Sequence, residues 1–379
     1  MVGRLLSMRR VLLMAVLLST VLVAAACGGF SGESADQGGG GDGGGDGGSQ
    51  EGPQLSEPPE IEGDVVSEGD EHTIKFGIGL AESSPQYRSV EYFGEILDQR
   101  TDGRLQVDIF PNSQVGDDNE MMDGLQSGSL EMTYPSTSPA ATLVPELAVF
   151  DLPFLFPTRE SAFEVMDSEI GQDMLDSFEG TGIKALYFSE NGFRQLTNSQ
   201  KPIEGPDDIS GLKLRVMEND VQVDIWNTLG ANPTPMAFGE VFSAMEQGVV
   251  DGQENPWSTI LTSNFYEVQQ HGAETRHVYT PFIIMISQEF WDGLSEEDQQ
   301  IVQEAAQQSG DYERVISEEY DEYSKQQLQE EGMEITEYSD QQMQEFRDAT
   351  QPVYDKWAPR IGEDLVQEVQ TMVEESEGQ

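Results

Sequence analysis

Two arginines stand where a small anion could be held. Arg215 closes the apolar, strand-like run Gly211-Leu212-Lys213-Leu214-Arg215-Val216, and Arg194 follows Ser189-Glu190-Asn191-Gly192-Phe193, just past a strand-like stretch at 183–188. A guanidinium presents planar, paired donors that match a carboxylate, which lysine cannot copy. Charge-assisted hydrogen bonds contribute roughly 1.5–3 kcal/mol each, enough to bind an anion inside a strongly negative chain. Either arginine could instead close an internal bridge to one of 71 acidic side chains, and spacing alone leaves both readings open. Asp251-Gly252-Gln253-Glu254-Asn255-Pro256-Trp257 adds further candidates after a strand expected at Val249-Val250. The Asn255 amide can donate to a carboxylate or hydroxyl, and Trp257 can wall a pocket. Phe238, beside Pro235 and Met236, can serve the same way. Core packing at a strand–helix turn accounts for these three equally well.

Catalytic chemistry finds less support. The three histidines, His72, His271 and His277, lie in no metal-ligand or triad spacing, and surface or hinge positions suit the last two. There is no G-x-S-x-G, no phosphate-cradling G-x-x-x-x-G-K-[ST] and no G-x-G-x-x-G after a strand. Gly116-Asp117-Asp118-Asn119-Glu120 could bind a cation, but a helix N-cap with acids in its first turn explains it more simply. No catalytic residue, metal or cofactor is implied.

The elements that must position these residues alternate between strand and helix. Ile74, Phe76 and Ile78 alternate as in a half-buried strand, and Tyr87, Val90, Phe93, Ile96 and Leu97 recur at helical spacing. A strand at 105–110, a short helix through Met121, Met122 and Leu125, and alternation at Leu130, Met132 and Tyr134 complete β-α-β-α-β. The layout Leu125-Gln126-Ser127-Gly128-Ser129-Leu130-Glu131 returns as Met245-Glu246-Gln247-Gly248-Val249-Val250-Asp251, which suggests a second lobe of the same type. Ser295-Glu296-Glu297-Asp298 reads as a capping box opening one long helix that reaches Glu331, and 281–287 reads as a buried strand. The fold class is therefore α/β with two lobes, and ligands of such sheets sit beyond the carboxyl ends of the strands. Closure of two such lobes is a hinge motion.

Charge and the first residues bear on compartment and partners. Arg4, Arg9 and Arg10 precede an apolar run at 11–26, then Ala24-Ala25-Ala26-Cys27, the order of a secretory signal peptide over 1–26. The run is shorter than the roughly 20 residues that span a bilayer. Cys27 is the only cysteine and resembles the cysteine of a lipobox, so a lipid-anchored protein on the outer face of the cytoplasmic membrane is expected, an incidental thiol near the cut site being the alternative. Thirteen of the 25 residues at 28–52 are glycine, so 27–71 is expected to be a flexible tether with a reach of roughly 33–39 Å. Beyond the signal, 16 basic residues face 71 acidic ones, a balance of −55. Such a field disfavours nucleic acid and anionic lipid, and it is tolerated best in saline surroundings where salt screens it.

Six ordered blocks carry a resemblance to the TRAP transporter solute-receptor family. They are Phe110-Pro111-Asn112-Ser113-Gln114-Val115-Gly116-Asp117, Asp151-Leu152-Pro153-Phe154-Leu155-Phe156, Gly192-Phe193-Arg194, Gly211-Leu212-Lys213-Leu214-Arg215, Pro233-Thr234-Pro235-Met236-Ala237-Phe238 and Asp251-Gly252-Gln253-Glu254-Asn255-Pro256. The resemblance spans nearly all of 72–375. It implies a periplasmic-binding-protein-like fold, lobe I at 72–192 plus 281–319 and lobe II at 193–280 plus 320–379, with a long helix crossing both. It also implies that Arg215 pairs with a substrate carboxylate, that Arg194 and Asn255 assist and that Phe238 packs on the ligand. The expected ligand is a small mono- or dicarboxylate, passed to TRAP membrane subunits for ion-driven uptake. Gly79 and Thr133-Tyr134-Pro135-Ser136 depart from the sialic-acid receptors, which place an asparagine and a glutamate there, and the Asp-Leu-Pro-Phe-Leu-Phe block is similar to the dicarboxylate branch. A receptor feeding a membrane sensor and an extracellular enzyme on the same scaffold are the alternatives.

Overall fold

The computed structural model describes residues 53–378. Cys27, the expected signal and the glycine-rich stretch lie outside the described residues. The first half runs β1 (His72–Gly77), α1 (Pro85–Arg100), β2 (Leu105–Phe110), α2 (Asp118–Gln126), β3 (Met132–Thr133), α3 (Thr137–Ala140), α4 (Arg159–Met166), α5 (Glu169–Asp176), β4 (Ile183–Phe193) and β5 (Gln195–Asn198). It continues through β6 (Lys213–Val216), α6 (Asp220–Thr228), β7 (Asn232–Pro235), α7 (Val241–Glu246), β8 (Gly252–Asn255), α8 (Trp257–Thr262), β9 (His271–Ala273) and β10 (Tyr279–Ser287). Helices α9 (Gln288–Gly293) and α10 (Glu296–Glu330), strand β11 (Glu334–Thr336), and helices α11 (Asp340–Ile361) and α12 (Glu363–Glu377) close the chain.

Two sheets result, ordered β2-β1-β3-β10-β4 and β11-β9-β5-β8-β6-β7. In the first, β1 pairs parallel with β2 and β3, and β10 is antiparallel to both β3 and β4. In the second, β6 pairs parallel with β7 and β8, and β5 is antiparallel to β8 and β9. The unit β1-α1-β2-α2-β3 is thus repeated as β6-α6-β7-α7-β8. The echo read at 125–131 and 245–251 is one turn made twice. Gly128 and Gly248 both stand at φ +69°, and the amides of Ser129 and Val249 donate 2.9 Å to the carbonyls of Gly124 and Ala244. That left-handed position costs a residue with a Cβ and costs glycine little.

The two sheets are tied by three crossings. The eleven-residue β4 of the first sheet passes through Arg194 directly into β5 of the second. A segment at 274–278 returns from β9 to β10, and the Arg194 amide donates to the Val278 carbonyl at 2.9 Å, pairing the two crossings. Helix α10, 35 residues long, packs on α1 and β4 on one side and on α8 on the other. Its start differs from the sequence expectation. Ser295 accepts from the Asp298 amide, but the Asp298 carboxylate turns away to Arg104, 2.6 Å from its Nη2, so the box closes on one side only. A buried guanidinium outcompetes a solvated backbone amide for that carboxylate.

Two further differences concern segment boundaries. Residues 53–71, expected to belong to the tether, lie along the folded domain. Leu55, Ile61 and Val66 pack on the first-sheet core, Ser56 bonds Glu319, and the Tyr92 and Tyr312 hydroxyls donate to the carbonyls of Pro59 and Ser56. Three widely spaced apolar residues show no helix or strand period, so only the glycine-rich part was legible as a tether. The strand expected at Val249-Val250 falls at β8, since the glycine turn occupies 247–250. In the C-terminal segment, α11 packs on α6, whereas α12 lies against α4.

Candidate functional site

A cleft of about 570 Å³, counting its open mouth, lies between the two sheets. Its walls come from the carboxyl ends of parallel strands: Gly79 and Leu80 after β1, Asp117 and Asp118 after β2, and Ser136 after β3. The second sheet contributes Met217 and Glu218 after β6, Met236 and Phe238 after β7, and Asn255 at the end of β8. That placement is the one expected for open α/β sheets. Asn191 joins them because the β4–β10 ladder slips there: Thr280 faces Gly192 and Pro281 faces Glu190, leaving Asn191 as the extra residue of a bulge.

Arg215 is 3% exposed on β6, and its Nε and Nη2 both donate to the Met236 carbonyl, at 2.9 and 2.8 Å. Among the described residues no carboxylate oxygen comes within 4.0 Å of this guanidinium, which removes the internal-bridge alternative. Its Nη1 is buried without a partner. With one edge engaged by a carbonyl, the end formed by Nη1 and the second Nη2 hydrogen remains as a two-pronged donor. Burial, reinforced by Arg194, pushes the Arg215 pKa down to about 10, with Glu254 opposing, so the group stays charged at neutral pH. The Phe238 ring stands 6.0 Å from its Cζ, within cation–π range.

Arg194 combines both sequence readings. It is fully buried and paired with Glu254 through Nε and through Nη2 at 3.0 Å, and Nη2 also reaches Asn255 Oδ1 at 3.0 Å. Its Nη1 is left buried and unpartnered, and the residue lines the cleft. Burial alone would raise the Glu254 carboxyl, but Arg194 and the His277 ring outweigh it and hold it at about 2. Burial also lowers His277, so the ring is neutral; its Nε2–H donates to Glu254 at 3.2 Å and its Nδ1 accepts from Thr275 at 2.8 Å. His277 therefore sits at the second crossing, braced against the first.

Asn255 uses its amide nitrogen on Gln253 and its oxygen on Arg194, leaving one N–H free. Trp257 is placed elsewhere. It is 2% exposed, packs with Val241, Ile260, Phe265 and Leu328, and is not among the cleft residues. Four of the five expected ligand residues thus converge, and the fifth anchors α8 in the core. Sequence reasoning missed Gln86, Asp118, Asn191 and Glu218. Glu218 and Asp118 follow strands and were open to the same positional argument, whereas Gln86 arrives from the second residue of α1 and gave no such signal. Asp118 accepts from the Ser136 amide at 3.3 Å, and burial raises its carboxyl to about 6. Across the mouth, the Asn119 amide donates to Glu218 at 2.9 Å, joining α2 to the end of β6.

Behind the cleft, buried acids gather where α10 passes β4. Glu313 accepts from Ser189, from Ser317 at 2.5 Å and from the Glu190 amide at 2.9 Å. Burial still pushes it up to about 7, and Glu190 to about 8 despite Arg159 at 2.6 Å. An acid whose folded pKa is raised keeps its proton while the unfolded chain loses its own, so stability falls as pH climbs from about 4.5 to about 7. Glu313→Gln should therefore flatten that fall and add up to about 3 kcal/mol at pH 8, with little change at pH 4. Urea unfolding at the two pH values, at fixed salt, reads the difference; parallel profiles for parent and variant would reject the assignment.

Two twinned α/β sheets facing an arginine-lined cleft are the build of a solute receptor. Residues 76–360 match the family described as bacterial extracellular solute-binding protein, family 7, and the chain belongs to it. The C4-dicarboxylate-binding periplasmic protein of Rhodobacter capsulatus is 34% identical over 304 residues, 80% of this chain and 91% of that protein. A sugar acid binding protein from Advenella mimigardefordensis, solved with galactonate, superposes with a TM-score of 0.80 at 39% identity, covering 82% of this chain and 99% of its own. A TRAP periplasmic solute-binding protein from Sulfurospirillum deleyianum with bound succinate gives 0.77 at 33% identity, covering 80% and 100%. No described helix is long and apolar enough to cross a membrane.

Proposed function

We propose that this chain is the extracytoplasmic receptor of a TRAP transporter, capturing a small organic carboxylate on Arg215 and delivering it to membrane subunits for ion-gradient-driven uptake. The observation that carries this reading is the buried Arg215 guanidinium, charged, bridged to no acid and free at its paired-donor end. Arg194 and Asn255 border the same space, and Phe238 caps the arginine. Lobes at 72–192 plus 281–319 and at 193–280 plus 320–379 close on the ligand by bending at the crossings. Saturable binding of an organic acid by calorimetry, with a fall in radius of gyration on binding, is the expected result. A panel of carboxylates that gives no heat at any salt concentration would reject it.

The chain is exported and held at the outer face of the membrane through a lipidated Cys27, for which the basic, apolar and small-residue order of 1–27 is the support. Cys27→Ser should move the mature protein from the membrane fraction to the soluble fraction without altering ligand affinity. Persistence of the variant in washed membranes would reject lipid anchoring. The excess of 71 acidic over 19 basic residues fits saline surroundings, where screening shortens the Debye length to about 3 Å at 1 M salt.

A further inference from the structure

The cleft carries acceptors as well as donors, and they restrict what a bound carboxylate can look like. Gln86 is 1% exposed, and its Nε2 donates to the Tyr134 carbonyl at 2.8 Å. That bond fixes the amide, because a flip would set oxygen against oxygen. Gln86 Oε1 is then an acceptor, buried and without a partner, on a residue that lines the cleft. Asp118 supplies more acceptor capacity; one oxygen takes the Ser136 amide, and among the described residues no cationic side chain lies within 4.0 Å. Asp117 and Glu218 line the same cleft. The free donors are the Nη1 groups of Arg194 and Arg215 and one N–H of Asn255.

A ligand that satisfies this inventory has one carboxylate for Arg215 and hydrogen-bond donors for the rest. Hydroxyl groups fit, since each can donate to Gln86 or Asp118 and still accept from an arginine. A second carboxylate would leave the Gln86 oxygen unpaired, and apart from the Arg194 Nη1, on a guanidinium already paired with Glu254, it would meet three acids. Both kinds of ligand occur among the solved relatives, galactonate in one and succinate in another, so family membership does not decide between them.

We propose that the cleft selects a hydroxylated monocarboxylate of the aldonate type over an unsubstituted dicarboxylate, with Gln86 Oε1 and Asp118 accepting its hydroxyl protons. This rests on the receptor reading above and narrows it. The test is calorimetric titration of the full mature chain with D-galactonate, D-erythronate and succinate at fixed high salt. The parent should bind one of the two aldonates at least about 100-fold more tightly than succinate, a discrimination within the range for sites built to bond a hydroxyl.

Gln86→Met keeps the side-chain length and removes the acceptor, and should weaken aldonate binding by about 10-fold more than it weakens succinate binding. Asp118→Asn, at the cleft rim, should weaken aldonates and tighten succinate, narrowing the ratio from both ends even where the buried Gln86 variant folds poorly. Succinate binding as tightly as the aldonates, or both ligands shifting together in Asp118→Asn, would overturn the selectivity and leave the receptor reading intact. Failure of all three ligands and of every other carboxylate would overturn both.

Discussion

Arg215→Ala should raise the dissociation constant for the bound carboxylate by about 100-fold to 10,000-fold while leaving the ligand-free protein folded. The range follows from losing two charge-assisted hydrogen bonds at roughly 1.5–3 kcal/mol each, with every 1.4 kcal/mol worth tenfold. The fold should survive because the arginine has no acid partner to orphan. Its two internal bonds both go to the Met236 carbonyl, which a water can take over once the side chain is gone. Removal also relieves an unpaired buried charge, the burial that pushes its pKa down to about 10, so the ligand-free melting temperature should hold or rise. Arg215→Lys separates charge from geometry. It keeps the cation but loses the fork, and should recover only a small part of the affinity. Calorimetry at constant ionic strength measures all three proteins, and an affinity for Arg215→Ala within about threefold of the parent would remove this residue from the anchor role.

Much of this arrangement is legible in the sequence because periodicity and turn chemistry are local. The alternation at Ile74, Phe76 and Ile78, the helical recurrence from Tyr87 to Leu97 and the two glycine caps at 128 and 248 each depend on a few consecutive residues. Arg215 could be singled out since an arginine closing an apolar strand needs a partner or a ligand, though only the structure shows that no acid supplies one. Arg194 could not be resolved the same way. Its partner Glu254 is 60 residues distant and was read merely as part of a turn. The site's acceptors were hidden for a similar reason. Gln86 reads as an ordinary helix residue, and its role depends on a carbonyl 48 residues away that pins its amide. The belt at 53–71 was lost because it has no regular secondary structure, and its hold is made of separate contacts to α1 and α10.

Arg194→Met should instead be a folding lesion, and its pH signature distinguishes it from a binding defect. The parent pair is fully buried, and removing one member strands the Glu254 carboxylate with only a neutral His277 for company. Breaking such a pair costs about 3–5 kcal/mol. In the parent, Glu254 is held at about 2, below its usual 4.5. An acid with a depressed folded pKa stabilises the fold above the unfolded pKa, and that contribution is lost as pH falls from about 4.5 toward about 2. Without Arg194, burial is opposed chiefly by the His277 hydrogen bond and raises the same carboxyl, so the variant should lose stability as pH rises past about 4.5, the opposite slope. The double variant Arg194→Met with Glu254→Gln removes the stranded charge and should regain much of the loss without regaining the parent's acid transition. Chemical unfolding between pH 3 and 8 at high salt checks all three. A single variant whose stability tracks the parent's pH profile would mean that Glu254 does not depend on Arg194, and the brace between the two crossings would have to be sought elsewhere.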